Sequence, residues 1–381
     1  MLKSKKKGDK MSETCILYGA PCSLYTGKAR SYLIKQGICF REVAPAAPEF
    51  NKKVISAIHR WRIPVIQLSD GSYIQDSTII INHFEKLPGI TPMLPETPRQ
   101  KIVALIFDII GAEGMLRPAM HYRWDFDEEN KYFLEQNFRT LMPGNSFEMA
   151  CQAMGDMRKA AAAFGAVPET FEVIESVYEK LLELLEQHFR QYPYLLGGRP
   201  CIGDFGMIGP FYGHLSRDPY PSKMMKKTAP YVFRWTERMN RTDSDMGEFP
   251  EILPDYLSND EIPETLKDIL KFVAEQDLVA ETSAAADTIN YWLKEKNPAP
   301  GSEAPRGAGF AEFKIRAASV SAMAQPYRFF LLKKMQDAFL SLDPEAQNEV
   351  KTLLMELGLE ILLDLKLHRE IGRKDNLGIW I

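Results

Sequence analysis

The sequence is poor in cysteine. Cys15, Cys22, Cys39, Cys151 and Cys201 are the five in 381 residues. No two of them form a Cys-x-x-Cys pair, and none joins a histidine at metal-ligand spacing. That speaks against a structural metal or a disulfide framework, and for free thiols in a reducing cytoplasm. Histidine is scarce too, with six in the chain, and His121 has no paired carboxylate or nucleophile at a known catalytic spacing. An uninterrupted apolar run of about 18 residues, the minimum for a membrane-spanning helix, is missing. So is an excess of positive charge. Lys and Arg number 47 against 51 Asp and Glu, a net charge of -4, so no overall attraction to nucleic acid is expected.

What is present is ordinary globular composition over a length that implies two or three domains. Residues 1–12 carry Lys3, Lys5, Lys6, Lys7 and Lys10 with no apolar core behind them. They read as a disordered basic tail rather than a secretory signal, with Met11 as a second candidate start. Residues 13–88 read as strand, helix, strand, helix, strand, strand, helix, with Gly37 stopping the first helix and Asp70-Gly71 turning a hairpin. Residues 89–98 hold Pro92, Pro95 and Pro98 and read as a linker. Residues 99–245 read as a helical domain. Its clearest helix runs from Pro168 to Tyr192, and its segment 202–215 is apolar on nearly all sides. Residues 246–381 form a mostly helical extension. Within it, 263–296 reads as helix, 297–308 as a connector, Phe310 to Ile315 as a short strand, and 327–341 and 344–371 as two closing helices.

Three features of the first domain carry chemistry. In Tyr18-Gly-Ala-Pro-Cys-Ser-Leu-Tyr-Thr-Gly-Lys-Ala-Arg30 a strand ends in a turn and a helix starts at Ser23. The helix start offers free amides and partial positive charge, where a thiolate is stabilised. Ser23 either donates to such a thiolate or merely caps the helix. In Arg62-Ile63-Pro64-Val65 the proline opens a strand, as an ordinary initiator or as a cis proline that exposes the backbone before it. In Gln75-Asp76-Ser77 another helix begins. There the hydroxyl and amides would hold a carboxylate and Asp76 an ammonium group, or Ser77 is a plain cap.

In order and spacing these features resemble the thioredoxin-like domain of the cytosolic glutathione transferases, and Gly203-Asp204-Phe205 resembles that superfamily's buried helix in the second domain. The resemblance spans about residues 13–241 and implies a serine-type member of the longer bacterial kind. The implied fold is an α/β thioredoxin-like N-terminal domain followed by an all-α glutathione transferase C-terminal domain, plus the mostly helical extension. The implied activity is formation of a glutathione thiolate that attacks an electrophilic substrate. Ser23 would activate the thiol. Ile63, before Pro64, would pair with the cysteinyl backbone. Asp76 and Ser77 would hold the γ-glutamyl end, and Arg62 the glycyl carboxylate. Glutathione would be the co-substrate, a small electrophile the second substrate and a homodimer the assembly, in the cytoplasm and in detoxification. No metal, nucleic acid or membrane partner is implied.

The match is not perfect. Cys201 stands where the superfamily has a capping Ser or Thr, which predicts a weaker helix start. Cys22 lies next to Ser23, so a register shift of one would make it the nucleophile of a thiol-disulfide reductase. A non-catalytic scaffold of the same fold is the third reading. Tyr18 and Tyr25 rank below Ser23 as hydroxyl donors. His121, Tyr122 and Trp124, within an aromatic and basic stretch, are candidates for lining the electrophile pocket.

Overall fold

The computed structural model describes residues 14–242 and 247–381, so the expected tail at 1–12 lies outside the described residues. The first domain is a four-stranded sheet in the order β2-β1-β3-β4, built from β1 (Cys15–Tyr18), β2 (Phe40–Val43), β3 (Val65–Gln67) and β4 (Tyr73–Gln75). β1 runs parallel to β2 and antiparallel to β3, and β3 pairs antiparallel with β4, placing Val65 opposite Gln75. Alternation along β1 serves both faces. Leu17 packs toward α1 (Leu24–Lys35) and α3 (Ser77–Phe84), while Tyr18 packs toward Phe50, Val54 and Ile58, the last of these on the short α2 (Ile55–Ile58). This is the thioredoxin-like arrangement that the sequence implied. Gly37, at φ +64°, ends α1 in a conformation an L side chain resists.

The helical domain comprises α4 (Pro98–Ile109), α5 (Leu116–Trp124), α6 (Asp127–Arg139), α7 (Phe147–Ala163), α8 (Phe171–Phe189), α9 (Ile202–Pro210), α10 (Pro219–Thr228) and α11 (Pro230–Arg238). α4 continues into one π-helical turn, Ile110–Gly114. Every residue of α9 is buried, as its apolar sequence requires. A Cβ on Gly111 would stand 2.2 Å from the backbone carbon of Gly206, so the crossing of α4 and α9 depends on both glycines. The weaker helix start expected at Cys201 does not appear. Asp204 Oδ2 accepts from the Cys201 amide at 2.9 Å, and Oδ1 accepts from Leu195 N and Trp235 Nε1. The carboxylate supplies the reciprocal arm of a capping box, on the Cys201 amide, and ties the helix start to Leu195 and to Trp235 of α11.

The extension contains α12 (Glu264–Val273), α13 (Val279–Lys296), the hairpin β5 (Phe310–Ile315) with β6 (Ala318–Met323), α14 (Pro326–Leu340), α15 (Pro344–Leu357), and the hairpin β7 (Ile371–Lys374) with β8 (Leu377–Trp380). α14 and α15 pack on α4. The expected helix over 344–371 is corrected. It stops at Leu357 because Gly358 takes φ +68°, and the chain then turns through Glu360–Leu363 into the last hairpin. That hairpin reaches back to the first domain. The Gln75 amide donates to Asn376 Oδ1 at 2.9 Å, and Arg373 Nη2 donates to Gln75 Oε1 at 3.0 Å.

Candidate active site

A cleft opens between the first domain and the extension. Arg62, Ile63, Pro64, Asp76 and Ser77 line one side, and Arg306, Gln325 and Tyr327 the other, with Tyr25 and Glu113 also facing it. Each wall follows from local chain chemistry. The Ile63–Pro64 bond is cis, and β3 begins one residue later. Pro64 O accepts from the Asp76 amide at 3.3 Å, tying the turn to the start of α3. Among the described residues nothing bonds to the backbone amide or carbonyl of Ile63. Ile63 therefore presents a free donor and acceptor to the cleft.

Asp76 caps α3 with φ +90°, an uncommon backbone for a non-glycine residue. Its Oδ1 accepts from Thr78 N at 2.9 Å and Ile79 N at 3.3 Å. The Tyr327 hydroxyl from α14 lies 2.8 Å from the same oxygen and 3.1 Å from Thr78 Oγ1. Ser77 is buried in the first turn of α3, and its hydroxyl has no hydrogen-bond partner among the described residues. Arg62 makes no ion pair among them. Burial, then Arg306 and Arg60, hold its pKa below the ordinary value. Two guanidiniums from distant segments thus crowd one end of the cleft, an arrangement that favours an anion there.

Ser23 caps α1, its Oγ accepting from Thr26 N at 3.3 Å. That bond uses the oxygen as acceptor and leaves the hydroxyl proton free to donate. Ser23 is not among the residues lining the cleft, whereas Tyr25, two residues on, is. Burial, then Glu113, push the Tyr25 hydroxyl well above its ordinary pKa, so it remains a donor. It donates to Glu113 Oε1 at 3.5 Å, while Gln325 Nε2 donates to Glu113 Oε2 at 2.9 Å.

Two expectations need correction. An acidic thiol at Cys22 is not what the fold provides. The side chain is buried beside Ala20 and Leu141, and burial raises its pKa against the opposing pull of Arg123. The substrate-pocket candidates do not reach the cleft. His121 is 1% exposed, its ring nitrogens each 2.9 Å from a carboxylate, Asp125 and Glu175. Tyr122 stacks on Phe126, and Trp124 packs against Phe138 in the core. Their helix, α5, is buried on almost every side, so the aromatic and basic mixture serves packing.

Arg123 from the same stretch has a role the sequence reading missed. Buried, it donates to Cys22 O at 2.9 Å, to Gly213 O at 2.7 Å and to both oxygens of Asp218, and so pins the turn before α1 to the helical domain. Glu113 was also missed, although one signal existed. Asp108 and Glu113 are the only charged residues between Ile102 and Leu116, and Asp108 is spent on a buried ion pair with Lys28. Tyr327, Gln325 and Arg306 carried no signal, because only the return of the extension brings them here.

Residues 17–92 match the family described as glutathione S-transferase, N-terminal domain. Residues 17–92 thus carry the likeness to a glutathione S-transferase N-terminal domain. The chain is 22% identical, in a 205-residue alignment covering 46% of this chain and 88% of the other, to Glutathione S-transferase 2 of Saccharomyces cerevisiae (strain ATCC 204508 / S288c). Among solved structures it is similar to the β-etherase LigF of Sphingobium sp. strain SYK-6, at 17% identity and TM-score 0.44, over 62% of this chain and 98% of that one. It is also similar to a glutathione S-transferase of Methylobacillus flagellatus KT with glutathione bound, at 16% identity and TM-score 0.35, over 67% and 98%.

Proposed function

We propose that this chain is a glutathione transferase that binds glutathione in the cleft between the first domain and the extension. The observation that carries the reading is the meeting, in one cleft, of an unpaired Ile63 backbone and an unpaired Ser77 hydroxyl at a helix start. The cysteinyl unit of the tripeptide pairs with Ile63. The Ser77 hydroxyl and the first amides of α3 take the γ-glutamyl carboxylate, and Asp76 takes its ammonium group. Arg62 meets the glycyl carboxylate. The sulfur lies at the start of α1, where the helix dipole and the free Ser23 proton stabilise the thiolate. The thiolate then forms a carbon–sulfur bond with an electrophilic carbon, and the leaving group departs with its electron pair. No covalent bond to the protein forms. A homodimer in the cytoplasm, acting in detoxification, belongs to the same proposal.

Disulfide reduction at Cys22 is disfavoured by the burial of that thiol. A scaffold role makes the same prediction as the transferase for fold and a different one for ligand. Calorimetric titration with glutathione, paired with a conjugation assay on an aryl halide, separates them. One-to-one binding with turnover supports the transferase. Absence of heat and of turnover leaves the scaffold.

A further inference from the structure

On this reading the glutathione thiol must lose a proton. Ser23 offers a donor to the product thiolate but no acceptor for that proton. The same cleft holds a buried carboxyl with no ion pair among the described residues. Glu113 is 3% exposed and sits on the π-helical turn that follows α4, a distortion often found at functional sites. Each of its two oxygens has a donor, Oε1 the Tyr25 hydroxyl at 3.5 Å and Oε2 the Gln325 amide of the extension at 2.9 Å. The Tyr25 oxygen, having given its proton toward Glu113, keeps a lone pair for a second donor.

We propose that Glu113 is the acceptor of the thiol proton, with Tyr25 as the relay between them. The sulfur–hydrogen bond breaks and its proton goes to Tyr25 Oη. The original Tyr25 proton moves to Glu113 Oε1 in the same step. A thiolate, a neutral tyrosine and a neutral carboxylic acid result, so atoms and charge balance with no added reactant. After the thiolate has attacked, Glu113 returns its proton to water.

The surroundings suit this role. Burial pushes the carboxyl up to about 7, near the ambient pH at which proton exchange is most effective. The charged groups facing it come from four segments. Arg328, at the start of α14, lowers its pKa but is committed to Glu281 at 3.0 Å. Glu281 on α13 and Asp76 at the start of α3 raise it, while Arg306 of the connector lowers it. On the adjacent turn, Asp277 is paired with Arg117 at 3.0 Å.

The test is the ultraviolet titration of the thiolate of bound glutathione, together with the pH profile of kcat/KM for conjugation. Wild-type protein is titrated first. If it binds no glutathione, the transferase reading itself fails, before any variant is made. If it binds, Glu113→Gln should remove the acid limb near pH 7 from kcat/KM and lower its plateau about tenfold, and Tyr25→Phe should lower the plateau by as much, while the midpoint of the bound thiol does not rise in Glu113→Gln, which loses a like charge. The double variant should do no more than either alone, because both act in one relay. Calorimetric affinity for glutathione should stay within about threefold. Glu113→Asp, which keeps an acid, should recover part of the rate and an acid limb, and guards against a misfolded Gln variant. An acid limb that persists near pH 7 in Glu113→Gln, or additive losses in the double variant, would overturn the proposal.

Discussion

The two walls of the cleft are made of different things. The wall from the first domain presents backbone: the free amide and carbonyl of Ile63, and a helix start at Ser77. The wall from the extension presents side chains, and several are already bonded to the opposite wall. Tyr327 reaches Asp76, Arg373 reaches Gln75, and Glu303 lies 3.1 Å from Arg60. A backbone wall is generic to its fold and recognises the part of a ligand that never varies. A side-chain wall held in place by hydrogen bonds is particular to this chain. On the proposed function, ligand recognition and ligand fit would be carried by separate segments, so substitutions in each should be read out differently.

Ser23→Ala, at the start of α1 beside the first wall, gives the largest expected effect. Removing one donor to a developing anion should cost about 100-fold in kcat with little change in glutathione affinity, measured by steady-state conjugation kinetics. A rate change below threefold would move the thiolate's donor elsewhere. Next in size is a pH effect on stability. The Glu113 pKa is raised to about 7 in the folded protein, so its contribution to stability is full below the ordinary carboxyl value near 4.3 and is lost as pH rises through 7. Glu113→Gln, neutral at every pH, should therefore be more stable than wild type at pH 8 by about 3 kcal/mol and gain almost nothing at pH 4, read from denaturant midpoints. Ser77→Ala should weaken glutathione binding about tenfold with kcat preserved, seen by calorimetry. Tyr327→Phe, on the second wall, is the smallest. It should lower stability by about 1 kcal/mol and leave glutathione binding no weaker, since Asp76 loses a competitor for its oxygen. Binding as damaged by Tyr327→Phe as by Ser77→Ala would erase the distinction between the walls.

Much of the first domain was legible because its signals are local. Gly37, Asp70-Gly71 and the alternation of Cys15 to Tyr18 each specify their own few residues, and the sheet follows. The buried α9 was legible from composition alone. The last hairpin was not, because 344–371 has enough leucine to read as one helix, and only the positive φ at Gly358 breaks it. The partner strand β6 (ASVSAM) has little β-branched or aromatic content and was invisible until paired with β5. In the cleft, Arg62, Ile63, Pro64, Asp76 and Ser77 were marked by turns and helix starts, and the structure brings them together. His121, Tyr122 and Trp124 misled because an aromatic and basic helix looks the same whether it lines a pocket or fills a core. Glu113 and Tyr327 act through neighbours more than 80 and 240 residues away, which local pattern does not encode.

The most direct measurement is a crystal structure of the protein soaked with glutathione. The cysteinyl backbone should be paired with Ile63, the γ-glutamyl carboxylate should sit at Ser77, and the sulfur should lie within hydrogen-bond reach of Ser23 or Tyr25. Glutathione bound outside this cleft, or a cleft that stays empty at saturating concentration, would contradict the proposed function.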